Sequence, residues 1–337
     1  MYYPPRRLHY INFVAWFILT SLVSPIICGA QQNMRLLPDN VVQSPAVDIT
    51  RLQVSVTDGL GNHLSGLGKD NFTILVDDKP QGITLFSDED EPSSICILFD
   101  TSVSMGSMRD TEYRKRLGVA NLVPLRLAAM SHQSNEYFLI TFNERPNILL
   151  DGVSGDELTA KLSKPPATLV RGKTAIYDSL RLGIEKLSGA SHRKRVILLI
   201  TDGAGDTASQ TKASKLKELA SVSGIQIYFI SVGEYNSGSV EEDKVMEDLL
   251  SVTGGTGFYP PLSWPFRVDT VKALEEFTSF MARDIRSQYT LGFIPIPHDG
   301  KWHKMKVKVT PPPNSSRKVK RVVVRSRQKY YAVANSR

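Results

Sequence analysis

Five side chains of this sequence could together hold a metal ion. Two are carboxylates that follow apolar runs at residues 95–99 and 196–200, and three are hydroxyls in nearby loop positions. Carboxylate and hydroxyl groups both offer oxygen ligands, which suit a hard divalent cation. The five residues are Asp100, Ser102, Ser104, Thr174 and Asp202.

The segment from Asp100 to Ser104 has the pattern D-x-S-x-S, which is a weak signal on its own. Asp100 could cap the following helix while Ser102 and Ser104 satisfy the backbone of a turn. The metal interpretation gains weight because a second apolar run also ends near an Asp, and a loop that opens a helix carries Thr174. We therefore predict one shared site rather than three unrelated turns.

Residues 94–288 alternate between short apolar runs and amphipathic stretches. The predicted strands are 95–100, 137–142, 196–201, 225–231 and 256–260, and the predicted helices lie near 111–130, 174–187, 210–223, 240–251 and 268–287. This alternation is typical of an α/β fold with a doubly wound, mostly parallel sheet and helices on both faces. Ligands bind beyond the carboxyl ends of such strands, which is where we expect Asp100 and Asp202.

Two segments with β texture flank this region, residues 48–90 and 289–332. Each is close to the lower size limit for independent folding. We predict that they pair into one small β-sandwich, with the α/β domain of residues 94–288 inserted between them. Within the first segment, residues 72–76 and 83–86 are predicted to form a hairpin around a loop at 77–82.

The first thirty residues differ in composition from the rest of the chain. Arg6 and Arg7 precede an apolar stretch that ends in small residues before Gln31, which predicts a signal peptide over residues 1–30 and a linker over 31–47. An uncleaved membrane anchor is the alternative. We expect an exported protein of the periplasm, the extracellular space or the cell envelope, in which Cys96 is a buried core residue.

The formal net charge of +7 arises mainly near the C-terminus. Residues 301–337 contain 12 Lys and Arg and no Asp or Glu. Lys304, Lys306 and Lys308 alternate with apolar residues, which predicts the outward face of a half-buried strand rather than a nucleic-acid site. No nucleic-acid partner is expected, whereas association with a membrane or the envelope stays open.

The three segments that contain the candidate metal ligands resemble those of von Willebrand factor type A (VWFA) domains that carry a metal-ion-dependent adhesion site. That family has D-x-S-x-S after its first strand, a Thr in a later loop, and an Asp after its fourth strand within T-D-G. All of these positions are present here. The flanks also resemble the exported bacterial branch called VWFA-related acidobacterial-type, through Gly66-Leu67, Asp70-Asn71-Phe72 and residues 289–293.

The resemblance implies a role for each side chain. Ser102 and Ser104 would coordinate Mg²⁺ (or Mn²⁺, with Ca²⁺ less favoured) through their hydroxyls, and Thr174 would bind it directly or through water. Asp100 and Asp202 would supply charge, often through water. One coordination position would stay open for an Asp or Glu of a protein partner, which makes the domain a non-enzymatic, adhesion-type module.

Several other functions were compared with this one. Lys173 and Thr174 suggest a phosphate-binding P-loop, but Ala167 replaces its first glycine. No serine-hydrolase motif is present, so we expect no enzymatic activity. Two alternatives stay open: an envelope scaffold that binds through its β-sandwich and basic C-terminal region, and, more remotely, a metal-assisted hydrolase.

Overall fold

The computed structural model of this chain describes residues 49–102, 105, 111–163, 173–202, 205–232, 240–259, 268–294, 298–310 and 321–332. The predicted signal peptide, the predicted linker and Ser104 lie outside the described residues. No helix in the described ranges is both long enough and apolar enough to cross a membrane.

The described part of the chain contains fourteen strands and six α-helices. The strands are β1 Thr50–Asp58, β2 Phe72–Val76, β3 Lys79–Gln81, β4 Leu85–Ser87, β5 Ser93–Asp100, β6 Glu136–Phe142, β7 Pro146–Val153, β8 Lys194–Thr201, β9 Gln226–Ser231, β10 Thr256–Phe258, β11 Tyr289–Phe293, β12 Trp302–Val309, β13 Val322–Arg325 and β14 Lys329–Tyr331. The helices are α1 Thr111–Met130, α2 Gly155–Leu162, α3 Ile176–Ser188, α4 Ala213–Ser223, α5 Val240–Thr253 and α6 Val268–Arg286.

A central six-stranded sheet has the order β10-β9-β8-β5-β6-β7, and every pair in it is parallel except β6 with β7. Successive residues of β5 alternate between its two faces, as the pleat requires. Ile95 and Phe99 belong to a core shared with α1, α2 and α6, whereas Cys96 and Leu98 belong to a core shared with α3, α4 and α5. The predicted α/β fold class, with helices on both faces, is confirmed.

The flanking segments contribute strands to two further sheets. Their orders are β13-β1-β11-β4 and β14-β12-β2-β3, so each sheet joins strands from before and after the central region. Leu52, Ile74, Leu291 and Val307 are members of one buried apolar cluster that these two sheets share. The exact domain boundaries and the description of these sheets as a separate sandwich domain stay predictions.

One predicted hairpin was wrong in its second strand. β2 pairs with β3, and the strand near residues 83–86 instead contributes β4, which pairs with β11 in the other sheet. The reason lies in the turn. Asp77 and Asp78 both have positive φ, at 46° and 62°, which allows a two-residue connection that begins the return strand at Lys79. The sequence had suggested a longer loop.

A buried cluster of polar side chains connects the central region to a flanking sheet. Asp284 of α6 has no exposed surface and accepts hydrogen bonds from Ser55 of β1, Tyr228 of β9 and Arg325 of β13. Gln288 Nε2 lies 3.3 Å from the same carboxylate. Because a buried charge is costly unless it is paired and hydrogen-bonded, this cluster fixes how α6 packs against β1 and β13.

Candidate metal centre

The ends of two adjacent strands bring Asp100 and Asp202 to one edge of the central sheet. Asp100 is the last residue of β5, and Thr201 is the last residue of β8, directly before Asp202. β5 and β8 are parallel neighbours, with Phe99 opposite Ile200. Both acids therefore leave the sheet at its carboxyl edge, where α/β folds of this kind bind ligands.

Asp100 is fully buried, and both oxygens of its carboxylate accept hydrogen bonds. Oδ1 accepts from the backbone N of Ser102 at 2.8 Å, and Oδ2 accepts from the hydroxyl of Thr201 at 2.5 Å. Burial, and after it the carboxylate of Asp202, raise the pKa of Asp100 to about 7 although these hydrogen bonds lower it. The two acids thus lie close enough to repel each other where little water screens them.

The D-x-S segment turns back on itself directly after β5. Ser102 is 2% exposed, and its hydroxyl, as well as its backbone N, hydrogen-bonds Asp100. Its carbonyl accepts from the backbone N of Met105 at 3.2 Å, which closes a short turn, and Met105 is buried in the core beneath. Asp100 and Ser102 are therefore brought together by local geometry, while Ser104 falls outside the described residues.

Thr174 is held by backbone hydrogen bonds to the loop that follows Asp202. Its carbonyl accepts from the backbone N of Thr207 at 2.8 Å and of Ala208 at 3.1 Å, and its own N donates to the Thr207 hydroxyl at 2.9 Å. The next residue, Ala175, donates from its N to the carbonyl of Asn143 at 2.7 Å, after β6. Thr174 is 5% exposed, and these backbone hydrogen bonds hold its loop against the loops that follow β6 and β8 at the carboxyl edge.

Asp178 lies in the first turn of α3, close to Thr174 along the chain. Its carboxylate accepts from the backbone N of Gln210 at 3.0 Å and from both the backbone N, at 2.9 Å, and the hydroxyl of Thr211. Burial acts to raise the pKa of Asp178, but these hydrogen bonds outweigh it, and the pKa is lowered. Asp178 therefore anchors the loop before α4.

The sequence analysis missed three residues that shape this edge. Thr201 donates to Asp100, Thr207 fixes the backbone of Thr174, and Asp206 is a further carboxylate whose pKa burial raises. The T-D-G pattern could have pointed to Thr201. Thr207 and Asp206 lie in a loop without periodicity, so no sequence signal marks their partners.

The donor set can be tested against the chemistry of the expected cation. In the part of the chain that the structure describes, no group of three or more His, Cys, Asp and Glu is placed to hold a metal. The candidate centre instead combines two acids with hydroxyls of Ser and Thr. Two carboxylates balance a divalent charge, and oxygen donors suit a hard cation, so these residues fit Mg²⁺ or Mn²⁺. Their assignment as ligands stays a prediction.

No protein-family profile and no curated protein matches this chain. Among solved structures, it is similar to an aerotolerance-related membrane protein from Bacteroides fragilis with multiple mutations to serine, at 17% identity, with a TM-score of 0.43, over 58% of this chain and 98% of that one. It is also similar to the conserved hypothetical protein BatB from Bacteroides thetaiotaomicron, at 19% identity and a TM-score of 0.41, over 57% of this chain and 100% of that one.

A third similar structure is proximal thread matrix protein 1 from the mussel byssus with a zinc-occupied MIDAS motif. The identity is 15% and the TM-score 0.45, over 62% of this chain and 48% of that one. This chain therefore matches about half the length of the mussel protein. At such low identities, the function of the present chain has to follow from its own residues.

Proposed function

We propose that this protein is an exported, divalent-metal-dependent binding module of the adhesion type, and not an enzyme. The observation that carries the proposal is that the buried carboxylates of Asp100 and Asp202 lie close together beside the hydroxyl of Ser102, at the carboxyl edge of the sheet. The sequence resemblance to VWFA domains supports it. Assignment to the VWFA-related acidobacterial-type branch is part of the same proposal.

Each residue of the centre has a distinct task in this proposal. Asp100 and Asp202 supply the negative charge, and Ser102, Ser104 and Thr174 supply neutral oxygens. A Mg²⁺ ion bound there would offer an electrophilic position to a carboxylate. Because the protein's two acids only balance a dication, little negative charge remains to repel an incoming Asp or Glu of a partner protein.

Calorimetric titration of the full chain with MgCl₂ and MnCl₂ tests the centre. We expect saturable uptake of one ion, abolished by Asp202→Asn, which removes one of the two balancing charges, and weakened by Ser102→Ala, which removes a hydroxyl ligand. Asp156→Asn is the matched control, because it removes the same charge from an exposed position on α2. Unchanged uptake in Asp202→Asn, or no uptake by the native protein, would overturn the proposal.

The partner is tested separately, by capture from an envelope extract in Mg²⁺ or in chelator. Binding that requires Mg²⁺ and fails in Asp202→Asn supports recognition of a carboxylate through the ion. Turnover of a generic ester or phosphoester that Asp202→Asn abolishes would instead indicate a metal-assisted hydrolase.

A second candidate function rests on the exposed face of β12. Lys304, Lys306 and Lys308 are exposed, while Met305 and Val307 are buried, which confirms the predicted alternation. This row of ammonium groups could attach an envelope scaffold to an anionic surface. Binding that falls with salt but is unaffected by chelator would favour that function, because screening weakens contacts between exposed charges.

A further inference from the structure

A cavity of about 370 Å³ lies between α4, the start of β8 and the C-terminal strand β14. Four arginines line it, Arg51, Arg193, Arg195 and Arg327, and we call it the arginine cavity. His298 lines it as well, and none of its described lining residues is an Asp or Glu. This cavity is separate from the candidate metal centre, because Arg193 and Arg195 flank the first residue of β8 whereas Thr201, at the other end of that strand, contacts Asp100.

Arg327 is the most deeply placed cation of the cavity, with 8% of its surface exposed. Its Nη1 donates to the carbonyl of Ser221 and its Nη2 to the carbonyl of Arg51, each at 3.1 Å. A guanidinium has five N–H donors, so three remain without a protein acceptor among the described residues. Burial lowers the pKa of Arg327 to about 10, and no neighbouring acid opposes that effect.

The nearby Arg325, by contrast, has an acid that balances its charge. Arg325 lies two residues earlier and pairs with the buried carboxylate of Asp284. Arg327 has no such partner within the ranges that the structure describes, although a buried cation is unfavourable unless it is paired and hydrogen-bonded.

The partial negative charge at the C-terminus of α4 compensates part of the positive charge of Arg327. The carbonyl of Ser221 lies in its last turn, and Gly224 caps the helix with a φ of 68°. A helix end carries about half an elementary charge, which is less than one guanidinium requires. Among the described residues, none of the other three arginines, Arg51, Arg193 and Arg195, forms an ion pair with an acid.

We propose that the arginine cavity binds a phosphate group, either free or as the end of a phosphomonoester. Arginine forks match the geometry of phosphate oxygens and form the stronger, charge-assisted hydrogen bonds. The cavity volume lies at the lower end of the range for small-molecule sites, so it leaves room for more than the phosphate alone. Tyr331, which also lines the cavity, offers a ring to the remainder of such a ligand.

Calorimetric titration of the full chain with inorganic phosphate tests this site, against sodium chloride at equal ionic strength. We expect saturable binding, weakened about tenfold or more in Arg327→Gln and in Arg193→Gln, since each removes charge-assisted hydrogen bonds. If Arg327→Gln does not fold, the double variant Arg51→Gln with Arg193→Gln decides, because neither residue is buried. Arg126→Gln is the matched control, since that arginine pairs with Glu275 on an exposed helix face.

Two results would overturn the proposal: phosphate that produces no more heat than chloride, or phosphate binding that is unchanged in the double variant. Sedimentation with vesicles of phosphatidic acid or phosphatidylcholine identifies the source of the phosphate. Selective binding to phosphatidic acid that the double variant loses supports a lipid headgroup. Phosphate binding without vesicle binding supports a soluble phosphate ligand.

Discussion

At the scale of single residues, His303 joins two acids from different parts of the chain. Its Nδ1 lies 2.7 Å from Asp77 in the β2–β3 turn, and its Nε2 lies 3.0 Å from Asp299 before β12. A neutral imidazole can donate from only one nitrogen, whereas the protonated ring donates from both. The hydrogen bonds to Asp299 and then Asp77 therefore raise the pKa of His303.

We expect this triad to make stability depend on pH. The pKa of His303 is higher in the folded state than in the unfolded state. Its contribution to the free energy of unfolding is therefore complete below the unfolded value of about 6.5 and is lost as the pH rises through the folded pKa. The pKa of Asp77 is lowered by His303, so its contribution is present above about 3.8 and is lost as the pH falls through the folded value. The free energy of unfolding, measured with urea between pH 5 and 9, should therefore decrease as His303 deprotonates.

His303→Gln should remove this part of the pH dependence, because Gln does not titrate. Asp77→Asn is the companion variant, since Asn also tolerates positive φ and keeps the turn while it removes the charge. It should reduce the pH dependence without abolishing it, since Asp299 remains. A pH profile of His303→Gln that matches the native profile would show that the triad contributes nothing.

Some residues of the candidate site could be predicted from the sequence and others could not. Asp100 and Asp202 could be predicted because each follows a buried run whose end must lie at the sheet edge. The anchoring of Thr174 by Thr207 could not, because it depends on how two irregular loops meet after the sheet has formed. Side-chain chemistry at strand ends is thus readable from sequence, whereas contacts between loops are set by tertiary structure.

At the scale of elements, the turn from α5 into β10 requires glycine at its second position. A Cβ placed on Gly255 would lie 1.7 Å from the carbonyl oxygen of Ile227 in β9, so the two backbones approach too closely for any side chain. Gly254, just before it, has a φ of 72° and packs against the backbone of Ser326 and Arg327. This turn is one of the places where the central region contacts the C-terminal segment.

Gly255→Ala should lower the free energy of unfolding by about 3 kcal/mol or more, because the backbone must move to relieve the overlap. Gly118→Ala is the control. It lies within α1 with open space around its Cα, so it should be neutral or stabilise by about 0.5–1 kcal/mol. Urea denaturation followed by circular dichroism measures both, and a Gly255→Ala protein as stable as the native one would contradict the close approach.

The elements that sequence reasoning missed are the ones with weak patterns. β7 is an edge strand whose residues are all at least partly exposed, so it lacks the apolar run that identified β5 and β8. α2 has only eight residues, too short for a clear helical period. Its start was nevertheless readable, since Ser154 caps the helix and accepts from the backbone N of Glu157, in the order that a capping box predicts.

At the scale of the whole molecule, the cluster around Asp284 makes the central region and a flanking sheet depend on each other. Asp284→Ala would leave the half-buried Arg325 without its partner and would remove the acceptor of Tyr228 and Ser55. Breaking a buried pair in this way typically costs about 3–5 kcal/mol. We expect a loss of that size in the free energy of unfolding, measured by urea denaturation followed through the helical signal.

Asp90→Ala provides the comparison for this prediction. Asp90 pairs with Arg286 on the same helix, but both side chains are substantially exposed, so its removal should cost about 1 kcal/mol or less. Equal effects of the two variants would show that the buried cluster has no special role. Adding Arg325→Met to Asp284→Ala should recover part of the loss, because the orphaned charge is then removed as well.

The placement of β1 also sets an order of events while the chain is being made. Leu52 pairs with Leu291 and Val56 with Val324, so β1 leaves the ribosome long before either of its neighbours, β11 and β13, has been made. Until then its two edges are open, and open edges readily pair with other chains. The nascent protein therefore has to be kept from self-association until β11 and β13 have been synthesised.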